Sequence, residues 1–307
     1  MTILCRHLFV LIGLLALASN VQAQIEITDS HGKYRFAKPP ERVVVLNWAL
    51  AEQMIELGEM PVGMSDIEGY HHHTGVNSVP ESVQDIGGRM APGMRAIREL
   101  KPDIILIGYS QRPFIRSLSN IATVIYFKNF GKRYNNGEKS EERFLELAKL
   151  FEKTEFANQK LRQRNDKLAS LKAQLQAAYQ DKPLPAVQFI VPESSAAAKR
   201  GVSLVFGENS LPFYAAQALG LTVVGAEKNN QFGIARLNQG EISDLNSSAK
   251  QEVCQFTLSS YTSSNFDENG ASECNLEMEY QNAFGGVMSI LYLAESISKA
   301  LVERLPE

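Results

Sequence analysis

Short apolar runs alternate with helical periodicities along the first half of the chain. The runs "RVVVLN", "PVGMSD", "VQDIG", "PDIILIG" and "TVIYF" have the length of strands, whereas residues 49–57 and the stretch "PGMRAIREL" have helical spacing. This alternation predicts a parallel sheet with helices packed on it. The run "PDIILIG" is almost continuously apolar, which predicts a strand buried on both faces. Ahead of these runs, "IEITDSHGKYRF" alternates around a turn and predicts a hairpin.

The second half repeats this scheme. The runs "AVQFIV", "SLVFG" and "LTVVG" predict strands, and "SLPFYAAQALG" and residues 282–301 predict helices. Between the halves, residues 154–179 contain no Gly or Pro and have apolar residues at helical spacing, which predicts one helix about 39 Å long. We therefore expect an α/β fold of two Rossmann-like lobes, residues 24–140 and 181–307, joined through a helical segment at 141–180.

The first residues have the layout of a secretory signal. A short basic start at Arg6 and His7 precedes the apolar run "LFVLIGLLALA", and small residues follow up to Ala23. The apolar run is about half the ~20 residues that a membrane-spanning helix needs. We predict that residues 1–23 are a signal peptide cleaved after Ala23, and that the rest is exported.

The net charge bears on nucleic-acid binding, and the number of cysteines bears on disulfide formation. Removal of residues 1–23 takes away one Arg, so the balance changes from 31 basic and 34 acidic side chains to 30 and 34, a net charge of about −4. An acidic chain without a basic stripe predicts no nucleic-acid partner. In an oxidising compartment the two remaining cysteines, Cys254 and Cys274, predict a disulfide. A reactive or metal-binding pair is the alternative.

Enzyme motifs are incomplete. The stretch "GYSQR" has the Gly-x-Ser of a nucleophile elbow but Arg where the last Gly belongs, and no histidine follows it in the chain. A phosphate-binding loop of Walker type is absent from the sequence. We predict a protein that is not an enzyme, with a secreted two-domain enzyme as the alternative.

Three of the five histidines are consecutive, at positions 71 to 73. In an extended segment, His71 and His73 would face one way and His72 the other. Transition-metal sites gather ligands from separate elements, and the second half of the chain has no histidine. We expect no direct metal site here. The histidines form either an exposed polar loop or one wall of a ligand cleft.

Aromatic and arginine side chains follow several predicted strands. Ligands of open α/β sheets lie at the carboxyl ends of the strands. Trp48, Arg89 and Tyr109 each follow such a strand, as do residues 70–73 and Arg112. We expect these positions to converge on one ligand-binding rim. Arg89 is either a ligand contact that is unpaired before binding, or part of a structural salt bridge.

Three longer segments resemble a known family. They are "RVVVLNWALAEQMIELG", "VPESVQDIGGRMAPGMRAIRELKPDIILIG" and "LVFGENSLPFYAAQALGL". The chain resembles the periplasmic binding proteins that serve ABC importers of ferric siderophores, the helix-linked class III, and is most similar to the ferric hydroxamate (ferrichrome-type) members. The resemblance covers essentially the whole chain after residue 23. It implies a periplasmic, monomeric protein without a covalently bound cofactor, whose ligand is an iron(III)–siderophore complex.

The resemblance also implies the residues of a ligand site between the lobes. The family's ligand arginine falls on Arg89, while His73, Phe232 and Met278 stand where relatives carry tryptophan. The site is therefore less aromatic than in those relatives, and Arg112 and Arg236 add positive charge that suits a carboxylate-bearing chelate. The complete predicted set is Trp48, His73, Arg89, Tyr109, Phe232, Arg236, Met278 and Tyr280.

Delivery to an importer requires docking on a permease. Family members carry one glutamate per lobe for this contact, and the resemblance implies Glu241 in the second lobe. In the first lobe the expected position holds Arg95, with Glu99 one turn later. The implied function is capture of a ferric siderophore and delivery to an inner-membrane ABC permease and its ATPase. Haem or cobalamin in the same fold is the nearest alternative, and a periplasmic sensor partner is another.

Overall fold

A computed structural model of the protein describes most of the chain. The predicted signal peptide (1–23), Tyr280 and the side chains of His73, Pro192, Ser259 and Glu279 lie outside that description. The described residues are 24–74, 78–128, 130–132, 135–180, 182–192, 201–226, 230–259, 274–279 and 283–305. Among them, no helix combines the length and apolarity needed to cross a lipid bilayer.

The first lobe is built on a parallel five-stranded sheet, in the order β5-β4-β3-β8-β9. Alternate residues of its strands enter two different cores: Val43 and Val45 face one, and Val44 faces the other. Helices therefore cover both faces, and the predicted parallel sheet is confirmed. The strands are β3 (Val43–Val45), β4 (Gly63–Met64), β5 (Gln84–Asp85), β8 (Ile104–Ile107) and β9 (Thr123–Tyr126).

Two small hairpins and five helical segments complete this lobe. The predicted hairpin is confirmed as an antiparallel pair whose turn is closed by hydrogen bonds from the amides of His31 and Gly32 to Asp29 Oδ1. The pair is β1 (Ile25–Thr28) and β2 (Lys33–Phe36); a second pair is β6 (Gly87–Gly88) and β7 (Ala91–Pro92). The helices are α1 (Trp48–Glu56), α2 (Ile67–Thr74), α3 (Met94–Glu99), a 3₁₀ turn (Tyr109–Phe114) and α4 (Ile115–Leu118).

The sheet of the second lobe is mixed, so the expectation of a second parallel sheet is wrong in part. Strand β10 pairs in parallel with β12 and β14, but β11 runs antiparallel to both β10 and β13. Only residues 193–201 separate β10 from β11, which is too short for the crossover that parallel neighbours require. The strands are β10 (Ala186–Pro192), β11 (Val202–Phe206), β12 (Thr222–Val223), β13 (Ile234–Asn238), β14 (Val253–Ser259) and β15 (Cys274–Glu279).

Three of these strands, β13, β14 and β15, were missed by the sequence prediction. Cys254, Phe256 and Leu258 are buried in β14 and alternate with less buried polar residues, a period-two signal that the sequence contains. The last helix is also shorter at its start than predicted. It begins at Ser289 because Gly285 and Gly286 approach α1 closely, and a Cβ atom at Gly285 would lie 2.1 Å from Glu52 Oε2.

Long helices connect and buttress the lobes. The predicted linking helix is confirmed at its expected bounds, and its buried face carries Leu161, Leu168, Leu171, Leu175 and Tyr179. It packs against α5 and also against α9. The helices are α5 (Asn136–Leu150), α6 (Thr154–Tyr179, the linking helix), α7 (Leu211–Ala218), α8 (Gln239–Ser248) and α9 (Ser289–Glu303).

Two buried hydrogen-bond clusters join the lobes. In the first, the carboxylate of Glu52 on α1 accepts hydrogen bonds from the amides of Gly286 and Ser289 and from the hydroxyl of Ser289, at 3.0, 3.2 and 2.6 Å. In the second, the buried amide of Asn136 donates to the carbonyls of Asn209 and Gln231, at 2.8 and 3.0 Å. Each cluster would lose buried hydrogen bonds if the lobes separated.

Cys254 and Cys274 form a disulfide where β14 and β15 are paired side by side, with Cα atoms 4.6 Å apart. We expect thiol titration of the denatured, unreduced mature protein to find no free thiol, because both sulfurs are in the bond. A Cys254→Ser variant should expose one thiol, that of Cys274. Two titratable thiols in the unsubstituted protein would contradict the bond.

Candidate ligand-binding site

The carboxyl ends of neighbouring strands carry the polar side chains of the first lobe. Trp48 begins the helix after β3, Asp66 follows β4, and Tyr109 follows β8. Arg89 follows β5 through the β6–β7 hairpin. Since β5, β4, β3 and β8 are adjacent in the sheet, these four residues lie along one edge, where ligands of α/β sheets bind.

Arg89 is held at the tip of a tight hairpin. Gly88 pairs with Ala91, so Arg89 and Met90 are the two turn residues. Gly87 has φ +90°, a left-handed conformation that glycine adopts without strain. The carbonyl of Arg89 accepts a hydrogen bond of 3.3 Å from the buried side chain of Gln111, which ties the hairpin to the 3₁₀ turn after β8.

The guanidinium of Arg89 lies on the indole of Trp48, with its Cζ atom 3.4 Å from the ring centroid. Its Nε is also 3.7 Å from Asp66 Oδ2, in an ion pair whose side chains are 39% and 37% exposed. The expectation that Arg89 is unpaired before binding is therefore wrong. Its ion pair and its ligand role are compatible, because the half-exposed guanidinium remains accessible from solvent.

Trp48 is a buried platform. Its indole is 5% exposed, and its N–H donates to the carbonyls of Ser65 and Asp66 at 3.1 and 3.2 Å. A ligand at this rim would meet the guanidinium above the ring before the ring itself. Stacking on Trp contributes about 0.5–1 kcal/mol at exposed sites, and more where the cation is desolvated. The stack therefore fixes the direction of Arg89.

The consecutive histidines lie on helix α2, and the assumption of an extended segment is wrong. Successive helical residues are rotated by about 100°, so the side chains of His71 and His72 point in different directions. Tyr70 is fully buried and lies in the core, whereas His71 and His72 are exposed. Within the described residues, the one group of three metal-ligating side chains is Glu252 with the two disulfide-bonded cysteines.

The second-lobe candidates lie in different environments. Phe232 is half-buried against Phe130 and Phe284, with ring centroids 5.1 and 6.1 Å apart. Arg236 lies exposed on β13. Met278 is only 6% exposed and packs in the core of the second sheet. Phe232 and Arg236 are thus accessible in part, and Met278 is a core residue in this conformation.

The two proposed docking glutamates are exposed and have local partners. Glu99 accepts a hydrogen bond of 2.8 Å from Arg95 one turn earlier on α3. Glu241 caps α8: its carboxylate accepts from the amide of Asn238, and its own amide donates to Asn238 Oδ1. Their docking roles stay predictions.

A cavity of about 690 Å³ is lined by other residues than the predicted ligand set, among them Phe127 and Lys128 after β9. It is bounded by the first hairpin, helix α5 and the start of α6, and none of the predicted ligand residues lines it. Two of its lysines, Lys139 and Lys149, are paired with Glu142 and Glu146 on the same helix. Charges that are already paired within one helix offer little to a charged ligand, so we place the site at the rim.

The fold and the strand-end rim define a two-lobed binding protein of the helix-linked type. Residues 43–254 match the family model described as periplasmic binding protein, and the chain belongs to that family. The expected class III fold is thereby confirmed.

Individual relatives support the same class. The chain is similar to the siderophore binding protein FhuD from Vibrio cholerae, solved with Fe³⁺–Desferal bound: it is 32% identical with a TM-score of 0.74, over 86% of this chain and 99% of that chain. It is 28% identical to the iron(3+)-hydroxamate-binding protein FhuD of Escherichia coli, over 56% of this chain and 55% of that protein.

A second Escherichia coli relative has a different ligand in its name. The Fe(3+) dicitrate-binding periplasmic protein FecB is 30% identical, over 41% of this chain and 42% of that protein. The matched segments thus span about half the length of these curated relatives. Family membership follows from the comparisons, and the ligand is a separate question.

Proposed function

We propose that the protein captures a ferric siderophore, with hydroxamates favoured, and delivers it to an inner-membrane ABC permease with its ATPase. The observation that carries this proposal is the guanidinium of Arg89, fixed on Trp48 at the carboxyl edge of the first sheet. A guanidinium presents a planar fork of donors that matches paired anionic oxygens. The bidentate oxygens of a ferric chelate are such a target.

Further residues complete the proposed site. Tyr109 is half-buried at the end of β8 and offers a hydroxyl group. The Cζ atom of Arg112 is 5.6 Å from the centroid of the Tyr109 ring. Phe232 offers an apolar surface from the second lobe. In this scheme the protein contacts the chelate and supplies no ligand to the iron. The similarity to a Desferal-bound relative over 86% of the chain supports the hydroxamate class.

Ferric citrate is the second candidate ligand, because the dicitrate-binding relative matches the chain as well as the hydroxamate-binding relative of the same organism. Calorimetric titration with ferric desferrioxamine B, ferric citrate, haemin and cobalamin separates these classes. We expect the tightest binding for the hydroxamate complex. Gallium desferrioxamine B has the same shape as the ferric complex but no visible absorption, so it does not accept energy from Trp48. A quenched or shifted Trp48 fluorescence with the gallium complex is therefore expected from binding alone, without energy transfer. Tightest binding of haemin or cobalamin would contradict the proposal.

Binding should change the distance between the lobes only slightly. The linking helix is rigid, and the Glu52 and Asn136 clusters would each lose hydrogen bonds in a large movement. We expect the radius of gyration from X-ray scattering to be nearly the same with and without ferric desferrioxamine B. A marked compaction on binding would contradict a rigid connection.

We also propose the location and processing of the protein. The family and the relatives are periplasmic binding proteins, which supports export with residues 1–23 removed after Ala23. We propose that the mature protein is a monomer. Mass spectrometry of the protein recovered from the periplasm should give a mature chain that begins at Gln24. A periplasmic chain that keeps residues 1–23 would contradict this cleavage.

A further inference from the structure

The carboxylate of Asp66 shares the rim with Arg89. Its Oδ2 is 3.7 Å from Arg89 Nε, and its side chain is 37% exposed. Asp66 has φ +55°, and its Oδ1 accepts a hydrogen bond of 3.2 Å from the amide of Gly69. A Cβ atom at Gly69 would lie 2.6 Å from both carboxylate oxygens, so the glycine leaves room for them. Asp66 is therefore held in place from its own backbone and from α2.

The carboxylate of Asp66 changes the electrostatic field that an approaching ligand encounters at the rim. A guanidinium alone attracts any anion, but a carboxylate within 4 Å cancels most of its field at longer range. Arg112 adds a second positive charge near Tyr109, and Asp85 adds a second negative charge, where it accepts from the amides of Ile67 and Gly87. The formal charges of these two arginines and two aspartates sum to zero.

We propose that Asp66 is a charge-selecting residue, which makes the site favour neutral or cationic ferric chelates over anionic ones. Three hydroxamates neutralise Fe³⁺, so their oxygens carry only partial charge and the iron centre has no net charge; the free ammonium group of desferrioxamine B makes its ferric complex a monocation. Three catecholates, or carboxylate-rich ligands such as citrate, leave the complex anionic. An approaching anionic complex meets the repulsion of Asp66 beside the attraction of Arg89, whereas a neutral one can still accept hydrogen bonds from the guanidinium. This inference rests on the proposed function and narrows its ligand class.

The variant Asp66→Asn tests the proposal with little disturbance of the fold. Asn tolerates a positive φ, and its Oδ1 can still accept from the amide of Gly69. Glu68→Gln is the matched control, because Glu68 is an exposed acid at the start of α2, two residues after Asp66. Both variants remove one negative charge. Melting temperatures of the two variants establish that each is folded.

The measurement is the ratio of two dissociation constants, for a ferric tris-catecholate and for ferric desferrioxamine B. We expect Asp66→Asn to shift this ratio about tenfold in favour of the anionic complex, a change of ~1.4 kcal/mol in relative binding free energy. Glu68→Gln should leave the ratio within about threefold of the unsubstituted protein, because Glu68 is more exposed than Asp66 and its charge is better screened. The shift should also shrink as salt is added.

Two other outcomes overturn the proposal. If Asp66→Asn weakens or strengthens both complexes equally, Asp66 only positions Arg89. If Glu68→Gln shifts the ratio as much as Asp66→Asn, the effect belongs to net charge and not to Asp66. In both cases the proposed function survives, because the unsubstituted protein binds the hydroxamate complex. If the unsubstituted protein binds neither complex, the proposed function and this inference fail together.

Discussion

The free energy of unfolding should fall by about 3 kcal/mol between pH 4.5 and pH 7 through the ionisation of Glu52 alone. Burial, which is the largest cause, and the nearby Glu56 raise the pKa of Glu52 from 4.5 to about 7, while hydrogen bonds from Ser289 and Gly286 oppose the shift. Multiplying this pKa shift by ~1.36 kcal/mol per pKa unit gives the stated change in the free energy of unfolding.

The sign follows from proton binding. The folded protein holds the Glu52 proton more tightly than the unfolded chain, whose carboxyl has its ordinary pKa. The stabilisation from this group is therefore fully present below pH 4.5, and it is lost as the pH rises through about 7. Above that pH, the folded state holds a buried carboxylate at the junction of the lobes.

The variant Glu52→Gln isolates this contribution from other titrating groups. The amide oxygen can accept from Ser289 as the carboxylate does, and it does not ionise. Urea unfolding at several pH values should show the variant gaining about 3 kcal/mol relative to the unsubstituted protein between pH 4.5 and 7.5. Glu155→Gln, at an acid on α6 that is 87% exposed, is the control and should show no such gain. Parallel pH curves for Glu52→Gln and the unsubstituted protein would contradict the assignment.

Arg89→Ala should lower the affinity for ferric desferrioxamine B about ten- to a hundredfold. Hydrogen bonds that involve a charged group contribute roughly 1.5–3 kcal/mol each, and alanine removes the charge and the donors together. Arg89→Lys keeps the charge without the planar fork, so it should recover only part of the affinity. The control is Arg98→Ala, an exposed arginine on α3.

Arg89 also contributes modestly to stability, since it stacks on Trp48 and pairs with Asp66. The stack of a half-exposed guanidinium on Trp48 and the half-exposed ion pair together contribute about 1 kcal/mol. Arg89→Ala should therefore remain folded with a slightly lower melting temperature. Unchanged affinity in that folded variant would remove Arg89 from the ligand site.

The architecture of the first lobe was predictable because its central strands, β3 and β8, are buried on both faces and appear as uninterrupted apolar runs. Strand β8 is buried at all four positions, as its sequence indicates. The linking helix was predictable for a related reason, since one face of a long helix repeats Leu161, Leu168 and Leu175. In both cases the local pattern contains the information that sets the structure.

The second sheet was less predictable because strand direction depends on pairing. The run "SLVFG" indicates a strand, but only the short connection from β10 makes it antiparallel. The histidine segment was misread because three polar residues in a row have no periodicity of their own. Its helix follows from the backbone after β4, where the amide of Ile67 donates to Asp85 and that of Gly69 donates to Asp66.

The sequence predicted which strand ends form the site, but it did not predict which of their side chains contact one another. Trp48 and Arg89 each follow a strand, so their convergence could be expected. Their stacking, and the pairing of Arg89 with Asp66, depend on the turn of a two-residue hairpin that brings distant residues together. Asp66 was not recognised, although its place directly after the run "PVGMS" was a signal of the same kind.

The position of iron in the complex tests the central claim most directly. Crystals grown with ferric desferrioxamine B should give one strong anomalous difference peak at the iron absorption edge. We predict that this peak faces Arg89 at the carboxyl edge of the first sheet, that the siderophore oxygens accept hydrogen bonds from the guanidinium, and that no protein atom coordinates the metal. A peak in the cavity lined by Thr28 and Lys139, or an iron ion held by protein side chains, would contradict the account.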